Sequence, residues 1–147
     1  MDIIKATPVD AALIAPLFDA YRVFYGQASN LALAEEFIAE RLANNESVIL
    51  LAVDSSGKAL GFIQLYPSFS SVSAARIWVL NDLFVSVNAR RQGVATQLMQ
   101  AAKELGIKTG AKGLVLETGV NNVNAQRLYE SLGYIKESGS YHYLLNL

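Results

Sequence analysis

Apolar positions along the chain follow two rhythms. In residues 31–43, Leu33, Phe37, Ile38 and Leu42 line one side of a helix. From Gly93 to about Thr109, Val94, Leu98, Ala101 and Leu105 do the same, with Ala95 and Ala102 beside them. Short runs rich in β-branched and aromatic residues predict strands at 3–5, 48–53, 59–66, 77–85 and 113–118. Asp54-Ser55-Ser56-Gly57 has the composition of a hairpin turn. Thr7-Pro8-Val9-Asp10 offers an N-cap, a proline at the first helical position and an early acid, so a helix is expected to about Tyr25. Pro16 should kink or divide it, because proline removes a donor and crowds the preceding turn. The serine-rich stretch 67–74 reads as a surface loop, and a short helix at 124–132 with strands near 134–137 and 141–145 closes the order. The expected fold is α/β (α+β): a mixed, mainly antiparallel central sheet with helices on both faces, in one domain spanning 1–147.

Composition narrows the chemistry. A chain of 147 residues, 52% hydrophobic, can bury a substantial core. Twelve basic against thirteen acidic residues leave a net charge of -1, which argues against a broad nucleic-acid surface. There is no cysteine and a single histidine, His142, so neither a thiolate zinc site nor a cysteine or serine–histidine triad is expected, and no metal is called for. No apolar stretch reaches membrane-spanning length, and the cytoplasm is the expected location.

Arg90-Arg91-Gln92-Gly93-Val94-Ala95 lies where the 77–85 strand meets the following helix. The first turn of that helix directs free N–H groups and the positive end of its dipole at the loop, a ready site for an anion. The arginines fit a phosphate clamp, although the same residues would also suit a solvated turn. No G-K-S, G-K-T or G-x-G-x-x-G is present, which removes the common nucleoside-triphosphate and dinucleotide loops.

A second motif resolves the choice. Asn122, Ala125, Leu128, Tyr129, Leu132, Gly133 and Tyr134 reproduce N-x-x-A-x-x-L-Y-x-x-L-G-[FY], and Arg90, Gly93 and Ala95 match [QR]-x-x-G-x-[GA]. In this order, the two resemble the signatures of the GNAT superfamily of N-acetyltransferases, over roughly the second half of the chain. The resemblance implies acetyl-CoA as cosubstrate, held between splayed parallel strands containing Val85 and Leu116. It assigns backbone groups of Phe84, Val85 and Val87 to the pantetheine arm. Arg90, Arg91, Gln92, Gly93, Val94, Ala95 and Thr96 fall at the pyrophosphate, with Asn122 or Asn124 on the opposite side.

Acetyl transfer to an amine needs a neutral nucleophile, stabilisation of developing oxyanion charge and a proton for the thiolate. An alkylammonium of pKa near 10.4 is neutral in only about one molecule in a few thousand at pH 7. Asp82, three residues before Val85, is the candidate to accept its proton, or only to bind the ammonium; Glu117 is a further candidate. An N–H near Val85 suits the oxyanion, and the resemblance places Tyr129 as general acid and also beside the cofactor. Some polyamine-acetylating members carry two adjacent acids where this chain has Asn81-Asp82, which weakens a polyamine assignment. Tyr21 and Tyr25, one helical turn apart, are candidates to line the acceptor site. The alternating tail Ser140-Tyr141-His142-Tyr143-Leu144-Leu145 suggests a strand edge and a homodimer, with His142 structural. The expected function is N-acetyltransfer to a primary amine on a small molecule or a protein lysine. The alternative is a non-catalytic acyl-CoA-binding module for sensing or interaction.

Overall fold

Five strands hydrogen-bond in the order β1 (Asp2–Lys5), β2 (Val48–Val53), β3 (Ala59–Ser70), β4 (Ala75–Val85), β5 (Leu114–Val115). The first three pairings are antiparallel and the last is parallel, giving the expected mixed sheet. The computed structural model describes residues 1–147 and resolves them into two compact units, 1–116 and 117–147. The sheet belongs to the first. Helices α1 (Ala11–Phe24), α2 (Leu31–Ala43) and α3 (Val94–Lys108) flank it, and α4 (Val123–Ser131) lies in the second unit. No helix is long and apolar enough to cross a membrane.

The apolar rhythm explains the layering. Ile14 and Phe18 of α1, Ala34 and Ile38 of α2, and Ile49, Leu51 and Phe62 of the sheet form one buried cluster. Strand alternation turns Leu50 to the other face, where α3 packs on the sheet and buries Val94, Leu98, Met99 and Ala102. Asp19 ties the first two helices together by accepting from Ser29 Oγ (2.6 Å) and the Asn30 amide (2.7 Å), which hold its carboxyl below the usual carboxylate range. Asn30 in turn caps α2 by accepting from Leu33 N.

Four expectations are corrected. Helix α1 runs through Pro16 undivided, because Pro16 and Ala12, whose carbonyl loses its helical donor, both face solvent. The 67–74 stretch is mostly strand: β3 continues to Ser70 opposite Ala75, with only 71–74 left as a turn. Beyond Leu65 the β2 partner has ended, so β3 pairs on one side there and accommodates Pro67. The 113–118 strand contracts to Leu114–Val115, and no strand forms at 134–137 or 141–145; alternation in sequence does not by itself supply a hydrogen-bonded partner.

Gly61 marks the tightest point of the sheet. A Cβ there would meet the Phe84 carbonyl oxygen at 2.8 Å and Val94 Cγ1 at 3.2 Å. Gly61→Ala is therefore expected to destabilise the protein by about 1–3 kcal/mol, the usual cost of overpacking. A lowered urea midpoint with an unchanged slope checks this.

Candidate functional site

Strand β4 ends at Val85, and residues 87–89 make one 3-10 turn before Arg90. Arg91 (φ 62°) and Gly93 (φ 77°) both take left-handed conformations, which fold the loop back so that α3 starts directly behind it. Nothing lies within 4 Å of a Cβ built on Gly93, so the backbone there faces open space; its φ is what favours glycine. No side chain caps the first turn of α3. The N–H groups of Val94, Ala95 and Thr96 precede the first intrahelical donor, Gln97 N to Gly93 O (3.0 Å), and are left for a ligand.

A concavity of about 320 Å³ opens here, walled by Val85, Ala89, Arg90, Arg91 and residues 93–96. Arg90 donates from Nε to the Val85 carbonyl (3.2 Å) and lies 5.8 Å from the Phe84 ring centre. Gln92 donates to Asn88 O (3.2 Å), and Val87 is exposed beside the turn. Exposed guanidinium groups, free amides and a helix N-terminus are the donors that a pyrophosphate requires. The donors present thus fit the phosphate end of CoA. No cluster of three or more His, Cys, Asp or Glu could hold a metal ion.

The sheet itself opens next to this loop. Parallel pairing of β4 with β5 stops at Val79 opposite Val115, whereas antiparallel pairing with β3 continues to Val85 opposite Gly61. From Leu80 to Val85, β4 therefore has one edge without a strand partner, the kind of edge that an extended ligand can pair with, although the Val85 and Asn81 carbonyls already accept from Arg90 and Tyr21.

Asp82 lies on this segment and is 2% exposed. A register shift between β3 and β4 sets Gln64 opposite Asp82 and Leu65 opposite Leu80, leaving Asn81 as the extra residue of a β-bulge. Gln64 Nε2 donates to Asp82 Oδ2 (2.6 Å), and Asn81 Nδ2 donates to Oδ1 (2.8 Å). Ser47 Oγ donates to Gln64 Oε1 (2.8 Å). Burial pushes the Asp82 carboxyl above the usual carboxylate range, against the donors Asn81, Gln64 and Tyr21, which pull it down. The Tyr21 hydroxyl donates to the Asn81 carbonyl (3.2 Å), and burial together with the charge of Asp82 raises the pKa of this phenol. Tyr66, half-buried nearby, is raised to about 12 by the same two causes.

Tyr21 heads an aromatic group. Its ring centre lies 5.0 Å from Tyr25, 6.1 Å from Phe62 and 6.5 Å from Phe84. Asp82 and Tyr21 are thus brought together, with the more exposed Tyr25 at their outer side. A larger concavity, about 440 Å³ and lined by residues including Lys5, Trp78 and Ser47, does not include the loop residues or Asp82.

In the second unit, Asn122 caps α4 by accepting from Ala125 N (3.4 Å), and Asn124 is exposed in its first turn. Tyr129 is near the end of α4, its ring 6.0 Å from that of Tyr134 and its carbonyl accepting from Tyr134 N. Glu117 and His142 are both largely exposed and 3.4 Å apart, in irregular backbone.

Gln64, Ser47 and Tyr66 were not anticipated as site residues. The one available signal was a glutamine inside the apolar run Phe62-Ile63-Gln64-Leu65. A buried amide needs partners, but only the bulged register identifies Asp82 as one.

Comparison with known proteins agrees with this architecture. A model of the acetyltransferase (GNAT) family matches residues 14–134. The chain is 52% identical over 147 residues to the uncharacterized N-acetyltransferase YhfO of Bacillus subtilis (strain 168), covering 100% of this chain and 98% of that protein. It is 36% identical over 134 residues to a "probable acetyltransferase" of Haemophilus influenzae, covering 91% and 90%. Among solved structures, the crystal structure of a "probable acetyltransferase" superposes with a TM-score of 0.94 at 44% identity, covering 100% of this chain and 98% of that one. With the two motifs, the opened sheet and matches of this extent, the chain belongs to the acetyltransferase (GNAT) family.

Proposed function

We propose that this acetyltransferase moves the acetyl group of acetyl-CoA directly onto a primary amine, carried by a small molecule or by a protein lysine, with residues 1–147 acting as one catalytic domain. The observation that carries this reading is a buried, amide-bound carboxylate, Asp82, on the strand segment where the sheet opens. The loop amides of Val94, Ala95 and Thr96, with Arg90 and Arg91, suit the pyrophosphate. Backbone groups of Phe84, Val85 and Val87 suit the pantetheine arm, with Asn122 or Asn124 assigned to it by motif.

When bound, acetyl-CoA supplies an activated acetyl thioester. Tyr21 and Tyr25 offer π faces to an ammonium, and the Asp82 charge attracts it. At 2% exposure, Asp82 takes the proton through an intervening water rather than by open contact. Its raised pKa makes it a better base than an ordinary aspartate. An N–H near Val85 is the proposed donor to the acetyl oxygen as it gains charge. The Tyr129 hydroxyl, assigned by its place in the motif, gives its proton to the departing thiolate.

The chain is further proposed to work as a homodimer. Tyr141, Tyr143, Leu144 and Leu145 are exposed in a tail that alternates like a strand but has no strand partner. Apolar side chains on a strand-like segment are best covered by a second copy pairing edge to edge.

Asp82→Asn is expected to lower kcat by about 10²–10⁴-fold while thermal stabilisation by acetyl-CoA persists. Because burial raises the Asp82 pKa, falling pH protonates it early, and kcat/KM of the parent should decline at a pH above the ordinary aspartate value of 3.8. Retained turnover in Asp82→Asn rules out the base.

Gly93→Val forces a β-branched residue into a left-handed position and should abolish most of the thermal shift given by acetyl-CoA. An unchanged shift would remove the loop from the binding site. Light scattering should show a dimer that becomes monomeric when residues 140–147 are deleted; a full-length monomer at tens of micromolar overturns the assembly.

A further inference from the structure

We propose that Ser47 and Gln64 are positioning residues that lock an amide N–H onto Oδ2 of Asp82, so that the carboxylate is held in one orientation toward the acceptor amine. The inference rests on Asp82 being the base, and it adds one residue from β3, Gln64, and one that immediately precedes β2, Ser47, neither of which a family motif contains.

The geometry is directional. An amide has a donor end and an acceptor end, and Gln64 uses both: Oε1 accepts from Ser47 Oγ at 2.8 Å, and Nε2 donates to Asp82 Oδ2 at 2.6 Å. Reversing the amide would aim Oε1 at a carboxylate oxygen, so the acceptor-only Asp82 carboxylate selects the orientation, and the Ser47 hydroxyl, able to donate or accept, completes it by donating to Oε1. All three side chains are buried, with Gln64 at 0% exposure, where an unpaired polar group is costly. Asn81 Nδ2 fixes the other carboxylate oxygen at 2.8 Å. Each oxygen retains a second lone pair, and those set the direction from which a proton arrives.

The bulge makes this possible. Gln64 and Asp82 are direct cross-strand partners, so their side chains leave the sheet on one face. Phe62 and Phe84, two residues from each, touch Tyr21 of α1, which identifies that face as the one under α1. The ionisable groups facing Asp82 are Tyr21 from α1 and Tyr66 from β3, and both phenols stay neutral through the acid range. Arg41 of α2 and Glu46 in the turn after it act on Tyr66. The Gln64 donor thus supports the ionised form without adding a charge that would repel an ammonium.

The test reads kcat/KM against pH together with the carboxyl-carbon NMR titration of Asp82. Gln64→Leu removes the donor and should move both the acid limb and the Asp82 titration upward by about one pH unit, a tenfold change in the ionisation equilibrium. Gln64→Glu keeps the size of the side chain and sets two carboxyls against each other, so it should move both further in the same direction. Ser47→Ala should move them by less, and Ser47→Thr should restore them.

Acid limbs and Asp82 titrations that match the parent in both Gln64 variants overturn the proposal, even if the variants are less stable. Full turnover in Asp82→Asn would remove the base assignment instead, a result distinct from an inactive Asp82→Asn with unmoved Gln64 variants.

Discussion

The pairing of β3 with β4 is the constraint on which the site depends. It runs from Gly61 opposite Val85 to Ser70 opposite Ala75 and is broken once, by the bulge at Asn81. An unbulged ladder would shift the alternation of one strand against the other. The bulge lets Leu65 and Leu80 remain buried apolar partners while Gln64 and Asp82 share the face under α1. One extra residue thereby reconciles an apolar core with a polar centre inside it. Gly61 completes the arrangement by letting the end of β4 approach β3 and α3 closely enough for Val85 to line the concavity at the start of α3.

Two electrostatic environments stand at the two ends of one short strand segment. At Val85, exposed arginines and free helical amides provide a hydrated positive surface suited to a highly charged anion. At Asp82, low exposure and neutral amide donors hold a single negative charge among aromatic rings. Burial disfavours that charge and hydrogen bonds favour it, and burial prevails. A carboxylate so balanced is more basic than one in water yet remains fixed in direction. The contrast suits a cosubstrate with a charged end and a reactive end.

Much of this was legible in the chain. The apolar stripes of α2 and α3, the runs of β2 and β4 and the two family motifs each depend on local spacing, and the elements form close to where that spacing puts them. The Arg90–Ala95 turn into α3 was readable because a loop at a helix start is built from consecutive residues. Departures occurred where a partner decided the outcome. Pro67 is strand because β3 lacks a second neighbour there, and the 141–145 segment is not strand because alternation alone satisfies no backbone hydrogen bond. Helix α1 passes Pro16 because the carbonyl it frees faces water.

Asp82 illustrates the division most directly. Its position before Val85 on an apolar strand, and hence its candidacy as the base, could be read from residue order and family resemblance. Its burial, its raised pKa and its attachment to Gln64 and Ser47 could not, because these residues are separated in sequence and meet only through strand register. Sequence by itself determined most helices and central strands, the arginine–glycine loop and the family motifs, since each is encoded within a short span of chain. Tertiary structure alone decided how the Asp82 carboxylate is held, because register and bulges arise from pairing between distant segments.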